Sequence, residues 1–354
     1  MKRKLILLAA VFMLCSPASA QKYIDAENLT LINKLCDTEH RYRRVDTDKY
    51  PDLTKKEASL LQQSAGHIIA FRTDSKNITV KTEYHHYGTS STMSRTATAG
   101  YDLYIRKDGK WIWAACGSAD KGKAYKIAYD MDSQPKECLL YMPLFSIVDK
   151  VEIGIDDEAS IEPLDNPFRH RIILLGSSFM HGSGTNRSGM AVPMQLERAT
   201  GMQFISLGMS GNCKLQPAIA QIIADNQCDA LIVDGFSNST ADIIRERLIP
   251  FISKIREAHP DIPIIFLRSI HRERSNFNLE FLKMENSKHE AGDEMIAKAM
   301  KMFDNIYYID KADQTGTDHE TSVDGTHPGD MGYMRWARTI QPGIVRILKK
   351  HGIK

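Results

Sequence analysis

Four short polar segments interrupt the second half of the chain. They are Gly176-Ser177-Ser178-Phe179-Met180-His181-Gly182, Gly208-Met209-Ser210-Gly211-Asn212, Gly235-Phe236-Ser237-Asn238 and Asp324-Gly325-Thr326-His327-Pro328. Their residue types suit acyl transfer. A serine hydroxyl is a poor nucleophile unless a positioned base takes its proton during attack. His327 can be that base. Asp324, on the same short loop, can hold the second ring nitrogen, fix the tautomer and steady the imidazolium that forms. Either Ser177 or Ser178 offers the hydroxyl. The negative charge that develops on the carbonyl oxygen then needs preorganised donors. Taken singly, each segment also reads as an ordinary turn.

The surrounding pattern gives these segments a common address. Arg171 to Leu175, Met202 to Leu207, Ala230 to Asp234, Pro263 to Leu267 and Ile306 to Ile309 read as buried strands. Between and after them, Pro193 to Ala199, Gln216 to Asn226, Thr240 to Ala258, Glu280 to Phe303 and Tyr333 to Lys349 carry helical periodicity. Near-continuous apolar strands alternating with helices predict a parallel sheet covered on both faces. In such a sheet ligands bind at the carboxyl ends of the strands. The first three polar segments sit there, and the fourth follows the last strand.

The first half has a different texture. After a helical region within Lys34 to Gln63, short alternating segments dominate: Ile78 to Tyr84, Tyr101 to Arg106, Trp111 to Ala114, Ala124 to Tyr129, Cys138 to Met142 and Val148 to Ile155. Asp108-Gly109 joins two of them as a hairpin. So many short strands predict a β-sandwich. The domain boundaries expected are 21–164 for the sandwich and 165–354 for the α/β domain, with the linker within Pro163 to Arg171. Trp111, Trp113, Tyr84 and Tyr104 could stack on a sugar ring, although aromatics alternating along strands more often pack a core.

In order and spacing the four polar segments resemble the sequence blocks of the SGNH (GDSL-type) hydrolases, from about Arg169 to the C-terminus. The resemblance implies a flavodoxin-like three-layer α/β/α fold with Ser178 as nucleophile and Asp324 and His327 completing a triad. It also implies an oxyanion hole formed by the Ser178 and Gly211 N–H groups and the Asn238 amide. Two departures stand out. The usual Gly-Asp-Ser is Gly176-Ser177-Ser178 here, and Gly235 precedes Asn238 by three residues instead of two. Gly100-Tyr101-Asp102-Leu103-Tyr104 resembles the Gly-x-Asp-Leu-Tyr signature of the jelly-roll-like domain that precedes some members. That pairing is similar to exported carbohydrate esterases, and it implies an acylated glycan as substrate.

The N-terminus predicts export. Lys2, Arg3 and Lys4 precede an apolar run to Cys15, and Ala18-x-Ala20 offers a cleavage site before Gln21, so residues 1–20 read as a signal peptide. The run is too short to span a bilayer. No stable membrane insertion is expected after cleavage, and the place of action is periplasmic or extracellular. The formal charge is +2, and those three basic residues supply more than all of it, so the mature chain is nearly neutral. A near-neutral chain without a basic stripe argues against a nucleic-acid partner. Five cysteines remain after the leader, an odd number far below disulfide-scaffold density. No metal-ligand spacing and no cofactor motif is visible. His181 reads as a pocket wall, His271 as a loop residue that could line the site, and Asp313 and Asp318 as loop acids. The expectation is a secreted serine esterase that removes small acyl groups from glycans. A lipase, thioesterase or acyltransferase with the same triad, or a non-catalytic glycan-binding protein, are the alternatives.

Overall fold

The computed structural model describes residues 20–311 and 313–354; the leader expected over 1–20 lies outside them except for Ala20. The first half forms two antiparallel sheets. Its strands are β1 (Gln21–Asp25), β2 (Thr30–Ile32), β3 (Ile68–Thr73), β4 (Ile78–His86), β5 (Tyr101–Lys107), β6 (Lys110–Gly117), β7 (Ala124–Ala128), β8 (Lys136–Tyr141), β9 (Ile147–Asp156) and β10 (Ile161–Pro163). One sheet has the order β1-β9-β4-β7, the other β10-β3-β8-β5-β6 with β2 also paired to β3. Ile69, Phe71, Leu103 and Leu140 from one sheet and Ile78, Val151, Ile153 and Ile155 from the other fill the core between them. The expected hairpin is β5 and β6, turning at Asp108 and Gly109, both with positive φ.

The second half is a five-stranded parallel sheet. Its strands are β11 (Arg169–Gly176), β12 (Met202–Gly208), β13 (Ala230–Asp234), β14 (Ile264–Leu267) and β15 (Ile306–Ile309), in the order β12-β11-β13-β14-β15. The helices are α1 (Lys55–Leu61) and α2 (Arg95–Ala99) in the first half, then α3 (Ser178–His181), α4 (Val192–Thr200), α5 (Pro217–Ala224), α6 (Ala241–Ala258), α7 (Leu279–Met302) and α8 (Asp330–Lys350). One face of the sheet packs on α5, α6 and α7 through Ile223, Leu248, Phe251 and Ile296. The other packs on α4 and α8 through Leu196, Trp336, Ile340 and Ile344. Both faces being covered explains the uninterrupted apolar strands. The chain leaves β11 for β12 on one side and returns to β13 on the other. This reversal places the crevice of the fold at the carboxyl end of β11. Among the described residues no helix is long and apolar enough to cross a membrane.

Over Lys34 to Gln63 the only α-helix among the described residues is α1, which Thr54 and Glu57 start with a reciprocal capping box, and Thr47–Lys49 adds one 3₁₀ turn. The preceding stretch is irregular because its groups bond outward. The buried Arg44 guanidinium donates to the carbonyls of Leu60, Gln63, Ser206 and Gly208. Leu35, Val45, Leu60 and Leu61 from this segment join the core on one face of the parallel sheet. Strands β1, β2, β3 and β10 have no counterpart among the strands expected from the sequence. In β3 five of six residues are buried, which hides the alternation that marks a half-exposed strand.

A polar seam joins the two halves. The fully buried Asp102 carboxylate accepts from Arg187 Nη1 (2.8 Å), the Gly189 N–H (2.8 Å) and Trp113 Nε1 (2.9 Å). Arg187 also donates to Tyr104 Oη, and Arg198 lies over the Tyr104 ring at 4.0 Å. The aspartate of the Gly-x-Asp-Leu-Tyr string is therefore an anchor for the loop between α3 and α4. Beside it Glu197 accepts from Asn33 Nδ2 (2.8 Å) and the Phe204 N–H (3.2 Å), and burial pushes its carboxyl up to about 8. Removing one partner of a buried ion pair strands the other. Asp102→Ala should accordingly cost about 3–5 kcal/mol in urea unfolding; a loss below about 1 kcal/mol would show that the seam does not hold the halves together.

Candidate active site

Ser178 opens α3 directly after β11, with Ser177 as the cap whose Oγ accepts the Phe179 N–H (3.2 Å). A residue that heads a helix has an N–H without an intrahelical acceptor. His327 and Asp324 lie on the loop before α8. Ser178 Oγ stands 2.9 Å from His327 Nε2, and His327 Nδ1 stands 2.8 Å from Asp324 Oδ2. Asp324 Oδ1 also accepts the N–H groups of Thr326 (2.9 Å) and His327 (2.7 Å). Burial raises the Asp324 pKa, but the bonds from the His327 ring and the two N–H groups outweigh it, leaving the carboxyl below its ordinary range. Asp324 is thus a carboxylate at neutral pH, as a partner of an imidazolium must be.

The loop is held at both ends. Val323 donates to the His327 carbonyl (2.8 Å), Gly325 to Ser322 Oγ (2.9 Å), and Arg274 to the Gly325 carbonyl (2.8 Å). Phe179 meets the His327 ring edge to face at 5.7 Å. His327 and Asp324 still keep about a quarter of their side-chain surface exposed, 23% and 27%.

Gly211 lies in the turn after β12 with φ +72, and a side chain there would meet nothing within 4 Å. A glycine accepts that left-handed backbone freely and leaves its N–H approachable. Asn238 follows β13, and its Oδ1 accepts the Cys213 N–H (3.3 Å). That bond engages the amide oxygen and leaves Nδ2 as the donor of the group. Asn238 thereby ties the turns after β12 and β13 together.

The two serines have separate surroundings. Ser177 is fully buried, and its Oγ donates to Asp234 Oδ2 at 2.7 Å. Asp234 also accepts from the Ser177 N–H (3.3 Å) and Ser237 Oγ (2.6 Å), while Arg272 donates to the Ser237 carbonyl. Burial raises the Asp234 pKa against the pull of these donors. Where the usual motif has an aspartate, this chain has a serine hydroxyl bonded to a carboxylate from the next strand. Asp234 was missed as a site residue; its sequence signal is a carboxylate ending an otherwise apolar strand.

The remaining candidates lie elsewhere. His181 is fully buried, stacks on Phe145 at 4.2 Å and bonds the Leu144 carbonyl through Nε2 (2.7 Å); burial holds its pKa well below the ordinary value. It joins the halves instead of lining a pocket. Asp318 pairs with Arg335 (2.7 Å). Tyr104 is buried in the seam, Tyr84 donates to the Ala99 carbonyl, and Trp113 has Arg187 over its ring. The five cysteines among the described residues are unpaired thiols.

Three groups rely on Asp234 as acceptor, so Asp234→Ala should loosen the turn that carries Ser178. Ester turnover should fall about tenfold or more in kcat with KM little changed, and Asp234→Asn, which keeps an acceptor, should recover part of the loss. An unchanged kcat in the alanine variant, folded by near-UV circular dichroism, would show that the carboxylate does not position the serine.

Comparison with known proteins places this geometry in context. Residues 169–345 match the model of the GDSL-like lipase/acylhydrolase family, and residues 21–161 match the GxDLY model, described as the N-terminus of SGNH-hydrolase-type esterases. No curated protein matches the chain. Among solved structures, one described as a GDSL-like lipase from Bacteroides ovatus is 36% identical over 93% of this chain and 98% of that one, with a TM-score of 0.91. The salicylyl-acyltransferase SsfX3 of a tetracycline biosynthetic pathway is 19% identical over 92% and 97%, with a TM-score of 0.70. A family two carbohydrate esterase from Cellvibrio japonicus shares the fold at 11% identity over 93% and 98%, with a TM-score of 0.60.

Proposed function

The chain belongs to the GDSL-like lipase/acylhydrolase family and is a carboxylic ester hydrolase, and from that premise we propose that it is exported and removes acetyl or other small acyl groups from glycans through an acyl-enzyme on Ser178. The observation that carries the site assignment is the unbroken relay from Ser178 Oγ through both ring nitrogens of His327 to Asp324.

In this mechanism His327 Nε2 takes the Ser178 proton as Oγ attacks the ester carbonyl, and Asp324 stabilises the imidazolium. The N–H groups of Ser178 and Gly211 and the Asn238 amide face the oxyanion. His327 then protonates the departing alcohol. Water, deprotonated by the same imidazole, releases the acid and frees the serine. The quarter-exposed rim of His327 and Asp324 leaves the nucleophile within reach of a bulky alcohol such as a polysaccharide. The fold shared with the carbohydrate esterase from Cellvibrio japonicus supports the glycan reading. The signal-peptide pattern at residues 1–20 supports export.

Ser178→Ala should lower kcat/KM on 4-nitrophenyl acetate by about 10⁴-fold or more, His327→Ala by a similar factor, and Asp324→Ala by less. Asn238→Ala should cost about 100-fold. Wild-type rates in Ser178→Ala, with Ser177→Ala inactive, would move the nucleophile by one residue. Serine-dependent acetate release from acetylated xylan, with little action on a long-chain ester, is the outcome the glycan reading requires. Preference for the long chain would make the enzyme a lipase.

A further inference from the structure

Beside the loop of His327, three side chains from two distant parts of the sequence converge. His271 and Glu273 follow β14, Glu273 beginning a short turn (Glu273–Asn276), and His319 lies on the loop between β15 and α8. Their ligand-capable atoms all lie within 4.8 Å of one another. Glu273 Oε2 is the hub, 2.8 Å from His319 Nδ1 and 3.9 Å from His271 Nε2. These separations bracket the roughly 3.3 Å between ligand atoms of a tetrahedral ion with bonds near 2.0–2.2 Å.

We propose that His271, Glu273 and His319, joined by Asn276, bind a divalent transition-metal ion of the zinc class. Asn276 is the fourth member of the cluster. Its Oδ1 lies 2.9 Å from His271 Nε2, and its Nδ2 lies 2.6 Å from Glu273 Oε2 and 3.4 Å from His319 Nδ1. The amide NH2 is a hydrogen-bearing group set among nitrogen and oxygen donors, the place a cation would take. On binding, the ring proton of His319 moves to Nε2 and that of His271 moves to Nδ1, which frees His319 Nδ1 and His271 Nε2 as ligands, and Asn276 turns its oxygen to the ion. Two imidazoles with a carboxylate favour zinc, cobalt, nickel or copper over the harder magnesium and calcium. The Glu273 carboxylate is 14% exposed and so held in place, whereas both histidines open to solvent and leave a way in. Arg274, next in sequence, has its guanidinium over the Phe281 ring at 5.4 Å.

The site would have a structural consequence. The Glu273–Asn276 turn already meets the loop between β15 and α8 through the Arg274 N–H on the Gly325 carbonyl and through Glu273 on His319. A metal held by Glu273 and His319 would replace the second of these hydrogen bonds with coordination. No sequence spacing announces the site, because Glu273 and His319 are 46 residues apart.

The test uses the mature chain without a polyhistidine tag, stripped with chelator, and titrated with Co²⁺ while the visible d–d absorption is followed. Saturation at about one ion per chain, reversed by Zn²⁺ and accompanied by a rise in Tm with Zn²⁺, is expected. His271→Ala and His319→Ala change exposed side chains, and each should weaken Co²⁺ binding by at least tenfold with unchanged far-UV circular dichroism. Ser178→Ala should bind as wild type does, which separates this site from the ester chemistry. Absence of a visible band at stoichiometric Co²⁺, or equal binding by the double histidine variant, would overturn the proposal.

Discussion

The proposed nucleophile, the Ser178 hydroxyl, has to be immobile and reachable at once, and the carboxyl end of β11 is where the chain holds it. Strands on both sides hold that end in register: Gly176 pairs with Gly208 of β12 and with Asp234 of β13. The next residue, Ser177, is locked to Asp234, and Ser178 emerges at the first turn of α3 with its Oγ directed at His327. Everything else about the site follows from where this turn is held. The turn after β12 brings Gly211, the turn after β13 brings Asn238, and the loop before α8 brings Asp324 and His327.

The antiparallel half does more than precede the parallel sheet. Asp102 fixes Arg187 and Gly189 in the loop after α3, and His181 within α3 reaches back to Leu144. Arg44 gathers the carbonyls of Ser206 and Gly208 at the end of β12, just ahead of the turn that carries Gly211. Buried polar contacts of this kind are costly to break because a lone partner stays dehydrated. The site therefore takes part of its rigidity from residues outside the parallel sheet.

What was legible from residues alone follows from periodicity. Strands β4 to β9 of the first half and the alternating second half announce themselves in apolar patterning, whereas the triad assignment rests on the resemblance of the four polar segments to the family's blocks. Contacts made over long range left no such trace. The Asp234 carboxylate beneath Ser177 is one case, because a buried charge at a strand end gains its partners only when the turns are assembled. Arg44 is another; its segment carries helical periodicity, yet its carbonyl partners draw it into an irregular path. Strand β3 was hidden by burial on both faces.

The central claim is that Ser178, and not its neighbour, forms the covalent bond to the acyl group. Labelling with a fluorophosphonate, followed by mass spectrometry of the digested protein, tests it most directly. The account predicts one adduct, on the peptide position of Ser178, formed in wild type and strongly slowed in His327→Ala. An adduct on Ser177, or no adduct from a preparation that turns over esters, would contradict it.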